Sequence, residues 1–399
     1  MVVTGLGVLC ALGKNKEETW RALRNGCCAI GPIRAVDTSA LKFQHGAEVR
    51  GFNPTAHFPG GQEDHLDRFA QFAVVAAREA VADSGLQFTT DLLERTAVVC
   101  GSCVGGQTTQ DAGFVDLYLK GRARVHPLLI PKIMANAGTS FIAMELGITG
   151  PAYTISTACS SANHSIGQAF HMVRSGQVEA ALTGGSEAPF SMGSLKAWEA
   201  MRVIAPDTCR PFSKDRRGMI LGEGAAILVL ERLEAAQARR ARIYGEIIGF
   251  GMSSDAHHLT HPSVEGPALA MRRALRDAEL EAGQIGYINA HGTGTPTNDP
   301  TETRAIREVF GVHADRLAIS STKSMHGHAL GAAGALEAFA TLMSLHHGIL
   351  PPTVNFQEKD PECDLDVVPN RARETSVEYA LSNSFAFGGL NAVLAMKRH

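Results

Sequence analysis

Cys159 is the residue of this sequence with the clearest capacity for covalent chemistry. It stands between a strand-like segment, residues 152–156, and a helical pattern. The helix would place the sulfur at its N-terminus, where the positive end potential stabilises a thiolate and lowers the thiol pKa from about 8.5 toward neutrality. Its small neighbours Ala158, Ser160 and Ser161 leave room for a substrate carbonyl, so we predict a catalytic nucleophile. The competing interpretation is a buried structural cysteine.

Two histidines could act beside that nucleophile. His291 directly follows an apolar strand and precedes Gly-Thr-Gly-Thr-Pro, next to flexible backbone and hydroxyl donors. His328 lies in a strand-to-helix turn, five residues after Lys323, in Gly-His-Ala-Leu-Gly-Ala-Ala-Gly. A single histidine would usually be structural. The order of elements around both residues, however, predicts that they converge with Cys159.

The elements that would position these residues occur twice along the chain. In each half a helical pattern leads to an apolar strand and a turn, and a second helix leads to a second strand whose following turn carries Cys159 or His328. The predicted elements of the first half cover residues 69–84, 96–100, 101–106, 130–146, 152–156 and 180–185. Those of the second half cover residues 267–278, 285–290, 291–295, 301–310, 317–320 and 379–382, with a further helix that ends at residue 347.

This alternation of strands and helices favours an α/β fold, and the repetition predicts two similar halves, residues 1–240 and 241–399. Because ligands of open α/β sheets bind at the carboxyl ends of the strands, Cys159, His291 and His328 are predicted to meet there. Residues 186–217 and 350–369 do not follow the repeat. We expect them to form loops or caps over the common site.

Composition restricts the partners and the compartment. The chain of 399 residues carries 37 basic and 40 acidic residues, so no overall charge attracts it to nucleic acid or to an anionic membrane. The first residues show no basic leader or cleavage site, and the apolar run 219–230 is interrupted by Glu223, so we expect neither secretion nor membrane insertion. Eight scattered cysteines indicate reduced thiols in a cytoplasmic protein.

Four sequence motifs together resemble those of β-ketoacyl-acyl carrier protein synthases. They are Thr-Ala-Cys-Ser-Ser-Ala around Cys159, His-Gly-Thr-Gly-Thr-Pro from His291, Lys323 with Gly-His-x-x-Gly-Ala-Ala-Gly, and Ser-Phe-Ala-Phe-Gly-Gly-Leu-Asn over residues 384–391. The resemblance extends from Val2 to the C-terminus, with the motifs in the family's order. It implies the thiolase-like fold, a duplicated α/β/α/β/α arrangement that is usually dimeric.

The resemblance also implies a reaction, a decarboxylative condensation that lengthens an acyl chain by two carbons. Cys159 would take the acyl group from a phosphopantetheine thioester on an acyl carrier protein, and malonyl carrier protein would then lose carbon dioxide and attack it. Neutral His291 and His328 would donate hydrogen bonds to the malonyl thioester oxygen. The backbone N–H groups of Cys159 and Phe387 would stabilise the other oxyanion. Neither a metal nor a separate cofactor is implied.

Charged positions match supporting residues of the same family. Lys323 and Glu337 correspond to a charged pair behind the histidines, where a lysine buried without a carboxylate would be costly. Asp299 and Glu302 correspond to acidic residues after the motif that begins at His291, with a role in orientation and electrostatic tuning. The alternative for these two is ordinary acid placement at a helix N-terminus.

Other matched positions concern the substrate and the carrier. Thr293 and Thr295 correspond to the hydroxyls that hold the pantetheine arm, with simple turn stabilisation as the alternative. Val104 corresponds to the residue that shapes the deep acyl pocket, and Leu129 to a partner-subunit residue that bounds it. The basic residues that match carrier-facing positions are Arg124 and Arg202.

The chain departs from the family in two places. One is the loop around Phe387, here called the gate, and the other is the surface that would meet the carrier protein. Ala386 and Leu390 stand beside Phe387 where gate loops commonly have Gly and Thr, which removes backbone freedom and a hydroxyl. Asp64 and His65 stand where housekeeping bacterial enzymes carry basic residues. A specialised ketosynthase of a polyene or type II polyketide pathway is therefore the alternative to a fatty-acid enzyme. The dimer partner would be a second copy or a ketosynthase-like chain-length-factor subunit.

Functions of other classes fit the residues less well. A non-catalytic chain-length factor usually lacks the nucleophilic cysteine that this chain has at Cys159. A thiolase would need a second catalytic cysteine, but the Phe-Gly-Gly motif holds none, and Cys363 lies in a Pro-rich segment. Cys100 and Cys103 have the spacing of redox and zinc sites, yet no second ligand pair accompanies them. His326 and His328, two residues apart, could suggest a metal site, but the chemistry assigned to His328 does not require a metal.

Overall fold

The computed structural model describes all residues, Met1 to His399, and contains one continuous sheet of ten strands. In chain order, the strands are β1 Val2–Cys10, β2 Thr96–Gly101, β3 Ala152–Ile155, β4 Ala180–Glu187, β5 Gly224–Glu231, β6 Gly245–Ser254, β7 Ile285–Asn289, β8 Ala318–Ser320, β9 Tyr379–Ala386 and β10 Leu390–Lys397. Two short ladders outside this sheet pair Gly31–Pro32 with His45–Gly46 and Ile349–Leu350 with Arg373–Glu374.

The two halves of the sheet have the same strand order. It is β3-β2-β4-β5-β1 in the first half and β8-β7-β9-β10-β6 in the second, so each strand has its counterpart five numbers later. In both halves the first three strands of this order are parallel, and the later pairings are antiparallel. The halves join where β1 pairs with the start of β6. The duplication predicted from the sequence is confirmed.

The helices form three layers, one between the two halves of this sheet and one on the outer side of each half. They are α1 Lys16–Arg24, α2 Arg68–Ser84, α3 Thr90–Glu94, α4 Gln107–Phe114, α5 Leu129–Ile133, α6 Ala137–Leu146, α7 Ser161–Ser175, α8 Met192–Met201, α9 Leu233–Ala238, α10 Glu265–Asp277, α11 Asn298–Phe310, α12 Lys323–His326 and α13 Ala333–His347. Helices α7 and α13 contact strands of both halves, whereas α2 and α6 cover the first half and α10, backed by α11, covers the second. This is the predicted α/β/α/β/α arrangement.

The two central helices are buried because their sequences are small or apolar on nearly every side. Helix α13 buries all residues from Ala333 to Leu345, as expected of a helix that lies between the two halves of the sheet. Side chains of α7 such as Ile166 and Phe170 belong to the largest apolar cluster, where each contributes about 1.5–3 kcal/mol by burial. Both helices end at a glycine with a left-handed backbone, at residues 176 and 348.

Two predicted elements differ from the structure. The helix expected over residues 130–146 is interrupted, because Met134 has an extended backbone between α5 and α6. The segment 186–217, expected to be a loop or cap, contains α8, whose first turn is capped by the Ser191 side chain. No helix of this chain has both the length and the apolar character needed to cross a membrane.

The duplicated topology sets the positions of the chemically capable residues. Cys159 lies in the turn after β3, and His328 lies in the turn after β8, the counterpart of β3. His291 follows β7, which is the parallel neighbour of β8. All three residues therefore follow the carboxyl ends of parallel strands, two in one half and one in the other.

Candidate active site

Cys159 sits in a sharp turn between β3 and α7. Ala158 has a φ of 50°, a left-handed conformation that a residue with a side chain adopts at a cost of about 1–3 kcal/mol. Cys159 itself is 5% exposed and lines a cavity. The strained turn thus presents the thiol to the cavity rather than to the core behind it.

Two serine hydroxyls hold this turn. The Ser161 hydroxyl accepts the Thr157 N–H at 2.9 Å and donates to the Ala158 carbonyl at 2.7 Å. The Ser160 hydroxyl donates to the Thr157 carbonyl at 2.8 Å. From the sequence these serines are only small neighbours of the thiol. Two hydroxyls at the start of a helix are the signal that could have indicated their second role, because such residues favour turns and caps.

The pKa of the Cys159 thiol is higher than its place near a helix end predicted. Burial raises its pKa to about 11, although the Lys323 charge and the backbone N–H groups of Phe387 and Cys159 act in the opposite direction. The predicted pKa near neutrality is therefore wrong for the unacylated protein. Burial of the thiolate away from water raises the pKa by more than the positive end of the helix lowers it. The two N–H groups lie beside the sulfur.

Alkylation of Cys159 is accordingly expected to accelerate steeply with pH. The thiolate is the reactive form, so a thiol pKa of about 11 predicts a rate that rises roughly tenfold per pH unit from about pH 7 to 10. The measurement is iodoacetamide labelling followed by mass spectrometry of the Cys159 peptide. The exposed residues Cys27 and Cys28 report on the reagent in the same sample. A Cys159 rate that levels off near neutral pH would contradict the expected burial effect.

His291 and His328 lie against each other in the cavity wall. Their ring centroids are 5.4 Å apart, with the rings nearly perpendicular at 83°. Burial, and after it the Lys323 charge, lowers the pKa of both imidazoles well below the usual value. Both rings are therefore neutral at neutral pH.

The hydrogen bonds of His328 set its tautomer. The Leu330 N–H donates to His328 Nδ1 at 3.2 Å. A neutral imidazole has one proton, so a ring that accepts at Nδ1 carries its proton on Nε2. His328 can therefore donate from Nε2 to a ligand in the cavity that it lines. His291 Nδ1 has no protein partner, so protein contacts leave the His291 tautomer open.

Lys323 and Glu337 form a wholly buried ion pair. The Lys323 ammonium group also donates to the His291 carbonyl at 2.6 Å. Burial raises the pKa of Glu337 to about 7, even though the nearby ammonium group lowers it. The pair stands directly behind His291, where Lys323 holds the backbone of that residue by its hydrogen bond. The Lys323 charge adds to burial in lowering the pKa of both imidazoles.

Two acidic residues of α11 bind the loop that begins at His291. The Glu302 carboxylate accepts the N–H groups of His291 at 2.9 Å and Gly292 at 2.8 Å. Asp299 accepts the N–H groups of Phe212 at 2.8 Å and Gly294 at 3.2 Å. Although Asp299 lies in the first turn of α11 and Glu302 in the second, both carboxylates point to this loop. Burial raises the pKa of each.

One cavity of about 280 Å³ brings half of the predicted site residues together. Its lining includes Cys159, His291, His328, Phe387, Thr293, Thr295 and Arg202. The Thr293 and Thr295 hydroxyls lie 2.9 Å apart on one side. The cavity thus holds a thiol, two neutral imidazoles and paired hydroxyls, a set suited to acyl transfer and to binding an amide-rich chain.

Three of the residues predicted for the acyl pocket and for carrier contact lie outside the lining of this cavity, as do the buried charged residues described above. Val104 is partly buried, and its N–H donates to Glu187 at 3.3 Å. Leu129 is buried at the start of α5. Arg124 is exposed in the segment before α5. This single chain therefore does not join them to Cys159.

Phe387 occupies the tight turn between β9 and β10. Gly388 and Gly389 have φ values of 85° and 70°, which explains why glycines follow the phenylalanine. The Gly388 N–H donates to the Leu259 carbonyl at 2.8 Å. The Phe387 ring stacks on Trp198 of α8, with centroids 6.3 Å apart. Sequence reasoning did not identify Trp198, which lies in the segment predicted to be a cap.

Two family models cover most of the chain. Residues 1–236 match the N-terminal domain of β-ketoacyl synthases, and residues 244–357 match the C-terminal domain. The chain belongs to the β-ketoacyl synthase family. The resemblance predicted from the four motifs is thereby confirmed. Members of this family are acyltransferases whose substrates are carried on the phosphopantetheine of acyl carrier protein.

Relatives of this β-ketoacyl synthase span its whole length. Nodulation protein E of Rhizobium sp. (strain N33) is 49% identical, with 100% of this chain and 99% of the relative covered. The 3-oxoacyl-[acyl-carrier-protein] synthase 2 of Staphylococcus aureus (strain COL) is 41% identical, with 100% and 98% covered. The solved structure of the ishigamide ketosynthase/chain length factor has a TM-score of 0.95 at 41% identity, with 100% and 98% covered.

Proposed function

We propose that this β-ketoacyl synthase condenses malonyl carrier protein with an acyl group held on Cys159, releasing carbon dioxide and lengthening the chain by two carbons. The observation that supports this most strongly is the shared cavity of Cys159, His291 and His328. The first half, residues 1–240, contributes the nucleophile. The second half, residues 241–399, contributes the histidines, Lys323 and Phe387.

In the first step the Cys159 sulfur attacks the thioester carbonyl of an acyl carrier. The carbonyl oxygen becomes an oxyanion, which the N–H groups of Cys159 and Phe387 stabilise; both already lie beside the sulfur. The bond to the pantetheine sulfur then breaks, and the proton lost by Cys159 ends on that sulfur. Because burial disfavours a free thiolate, the thiol proton leaves only as the acyl group arrives.

In the second step malonyl carrier protein occupies the same cavity. Its free carboxylate leaves as carbon dioxide, and the electron pair of the broken bond moves toward the thioester oxygen. His328 donates to this oxygen from Nε2, and His291 is the second neutral donor. The resulting carbanion attacks the acyl-cysteine carbonyl and expels the Cys159 thiolate, which takes up a proton. No metal or separate cofactor takes part in either step.

The charged residues around the histidines orient them rather than react. Lys323, paired with Glu337, holds the His291 carbonyl, and its charge adds to the effect of burial in keeping both imidazoles unprotonated, so that they donate without carrying a positive charge. Glu302 and Asp299 fix the loop from His291 through its N–H groups. Each of these groups is buried, which excludes water from the site and strengthens its electrostatic effect.

Thr293 and Thr295 line the approach to Cys159 and would bind the pantetheine arm, with Arg202 nearby. Arg202 and the exposed Arg124 are the basic residues that we assign to carrier contact. Val104 and Leu129 are assigned to the acyl pocket, with Leu129 acting from a partner subunit.

A partner subunit is supported by the surface around β3. Strand β3 has only one neighbour in the sheet, β2, and Tyr153 on it is 39% exposed. Nine of the fourteen exposed large apolar residues fall between Phe114 and Tyr153, including Ile130, Met134 and Met144. An edge strand beside an exposed apolar patch marks an interaction surface. We assign it to a second ketosynthase-like chain, either a copy of this one or a chain-length factor.

A specialised pathway is the second candidate function. Trp198 places a second aromatic ring against Phe387 at 6.3 Å, and Ala386 and Leu390 flank the gate turn. Relatives of this chain include both a nodulation protein and the ishigamide ketosynthase/chain length factor. A gate ring held in place by a second aromatic ring suits a rigid or conjugated chain better than a flexible saturated one.

The gate separates the two candidates. Ala386→Gly together with Leu390→Thr is expected to increase the mobility of the Phe387 turn and to shift selection toward saturated acyl donors, leaving Cys159 unaltered. The measurement is a competition between saturated and polyunsaturated acyl carriers, read as the ratio of the two acyl-enzymes by intact mass. An unchanged ratio would remove the gate as a reason for a specialised substrate.

The donor class can be identified directly. The wild-type protein is incubated with acyl carriers of different length and unsaturation, and the acyl group that accumulates on the Cys159 peptide is identified by mass. Preferential loading of saturated chains would support a fatty-acid enzyme, and preferential loading of conjugated chains a specialised one. Absence of acyl transfer to Cys159 from every carrier would contradict the proposed function.

A further inference from the structure

Glu187, at the end of β4, is a buried carboxylate with no assigned part in the chemistry. Its side chain is fully enclosed, and burial raises its pKa. Its contacts are hydrogen-bond donors rather than a neighbouring cation. A carboxylate in such a place is costly unless its oxygens are satisfied, so the position of each donor is informative.

The donors come from two separate parts of the chain. On the first side, the Ser102 hydroxyl donates at 2.9 Å, the Cys103 N–H at 2.8 Å and the Val104 N–H at 3.3 Å. On the other side, the Gly331 N–H donates at 3.0 Å. Because every partner is a donor, the ionised form, which only accepts, fits this site. One carboxylate therefore joins the loop after β2 to the turn after His328.

The turn after His328 depends on this contact. A Cβ atom at Gly331 would lie 2.5 Å from the nearest Glu187 oxygen, so the close approach requires glycine. The preceding residue, Leu330, has a φ of 47°, a strained left-handed conformation. The Leu330 N–H is the group that donates to His328 Nδ1. The hydrogen bond at Gly331 thus helps to hold a strained residue in the conformation that sets the His328 tautomer.

We propose that Glu187 is a positioning residue for both substrates of the condensation. Through Gly331 and Leu330 it keeps the proton of His328 on Nε2, facing the malonyl thioester. Through Ser102, Cys103 and Val104 it fixes the loop that we assign to the acyl pocket. This inference rests on the proposed function for the role of His328, but the tautomer itself can be observed without activity.

Glu187→Gln is the direct test. The amide keeps one acceptor oxygen but turns an N–H₂ group toward the donors of the other oxygen, so the contacts at Oε1 with Val104 and Ser102, or those at Oε2 with Cys103 and Gly331, are disturbed. We expect decarboxylation of malonyl carrier protein to fall by about tenfold to a hundredfold in kcat, with little change in KM. In full-length protein labelled with ¹⁵N-histidine, multiple-bond ¹H–¹⁵N correlation should show the His328 ring losing its pure Nε2–H pattern. The His328→Ala variant assigns the signals.

Glu48→Gln is the matched control. Glu48 is 5% exposed and likewise accepts two backbone N–H groups, from Arg34 and Ala35, but it does not contact the His328 turn. The Glu48→Gln variant should therefore show the same His328 signals and the same kcat as the wild type. A general effect of burying an amide would instead appear in both variants.

Ser102→Ala is a milder variant that tests the same contact if Glu187→Gln misfolds, because it removes only one donor to the same carboxylate. We expect the same changes in the His328 signals and in kcat, at smaller size. The proposal would be overturned if Glu187→Gln showed wild-type His328 signals. If Glu187→Gln does not fold, wild-type His328 signals in Ser102→Ala would overturn it. Lack of decarboxylation by wild-type protein would instead count against the proposed function, since the tautomer pattern is measured independently.

Discussion

Cys159→Ala is expected to abolish both acyl loading and condensation, because Cys159 is the only thiol that lines the cavity. Cys159→Gln should also abolish condensation but retain decarboxylation of malonyl carrier protein. The glutamine amide places a carbonyl near the N–H groups of residues 159 and 387, and so imitates the acylated thiol. Intact-mass analysis measures the loading, and carbon dioxide release measures the decarboxylation.

Cys363→Ala provides the comparison for this pair. Cys363 is also a buried thiol, but it lies in the segment 350–369 and does not line the cavity. It should load and condense as the wild type does. Full condensation by either Cys159 variant would refute the assignment of the nucleophile.

Replacing either histidine is expected to have the next largest effect. His291→Ala and His328→Ala each remove one neutral donor from the developing oxyanion, so decarboxylation should fall by about a hundredfold or more. Some acyl transfer to Cys159 should survive in both, since the backbone N–H groups serve that step. Rates of carbon dioxide release and of acyl loading, measured separately on each variant, test this division of roles.

His326→Ala is the corresponding control. His326 is equally buried in the same turn, with a pKa lowered to about 3, but its ring bonds Thr322 and the Gly327 carbonyl instead of facing the cavity. Its decarboxylation rate should stay close to wild type. Complete and equal loss of acyl transfer in the His291 and His328 variants would indicate that one of them is the obligatory base for the thiol.

The sequence predicted the fold well where the information is local or repeated. The apolar strands and small-residue helices recur in the same order, so the two halves and the placement of Cys159 and His328 in equivalent turns follow from pattern alone. The strand order within each half does not follow, because β1, β5, β6 and β10 pair antiparallel with segments that are distant in the chain. Such pairings have no local signature.

The properties that depend on enclosure were the least predictable. The helix end next to Cys159 can be read from sequence, but the burial that raises its thiol pKa to about 11 comes from the whole surrounding fold. Glu187 is similar: an acidic residue at the end of an apolar strand is visible in the sequence, yet its partner Gly331 is 144 residues away. Trp198 was missed because its contact with Phe387 joins a predicted cap to a predicted gate.

Isotope tracing of the malonyl carbons tests decarboxylative condensation most directly. The wild-type protein is given an acyl carrier that it loads and malonyl carrier protein labelled with ¹³C either at the free carboxylate or at the other two carbons. We predict that the carboxylate label appears as carbon dioxide in equal amount to the product. The other two labels should be found in a 3-oxoacyl carrier two carbons longer than the donor. Retention of the carboxylate label in the product, or carbon dioxide release without any lengthened chain, would contradict the account.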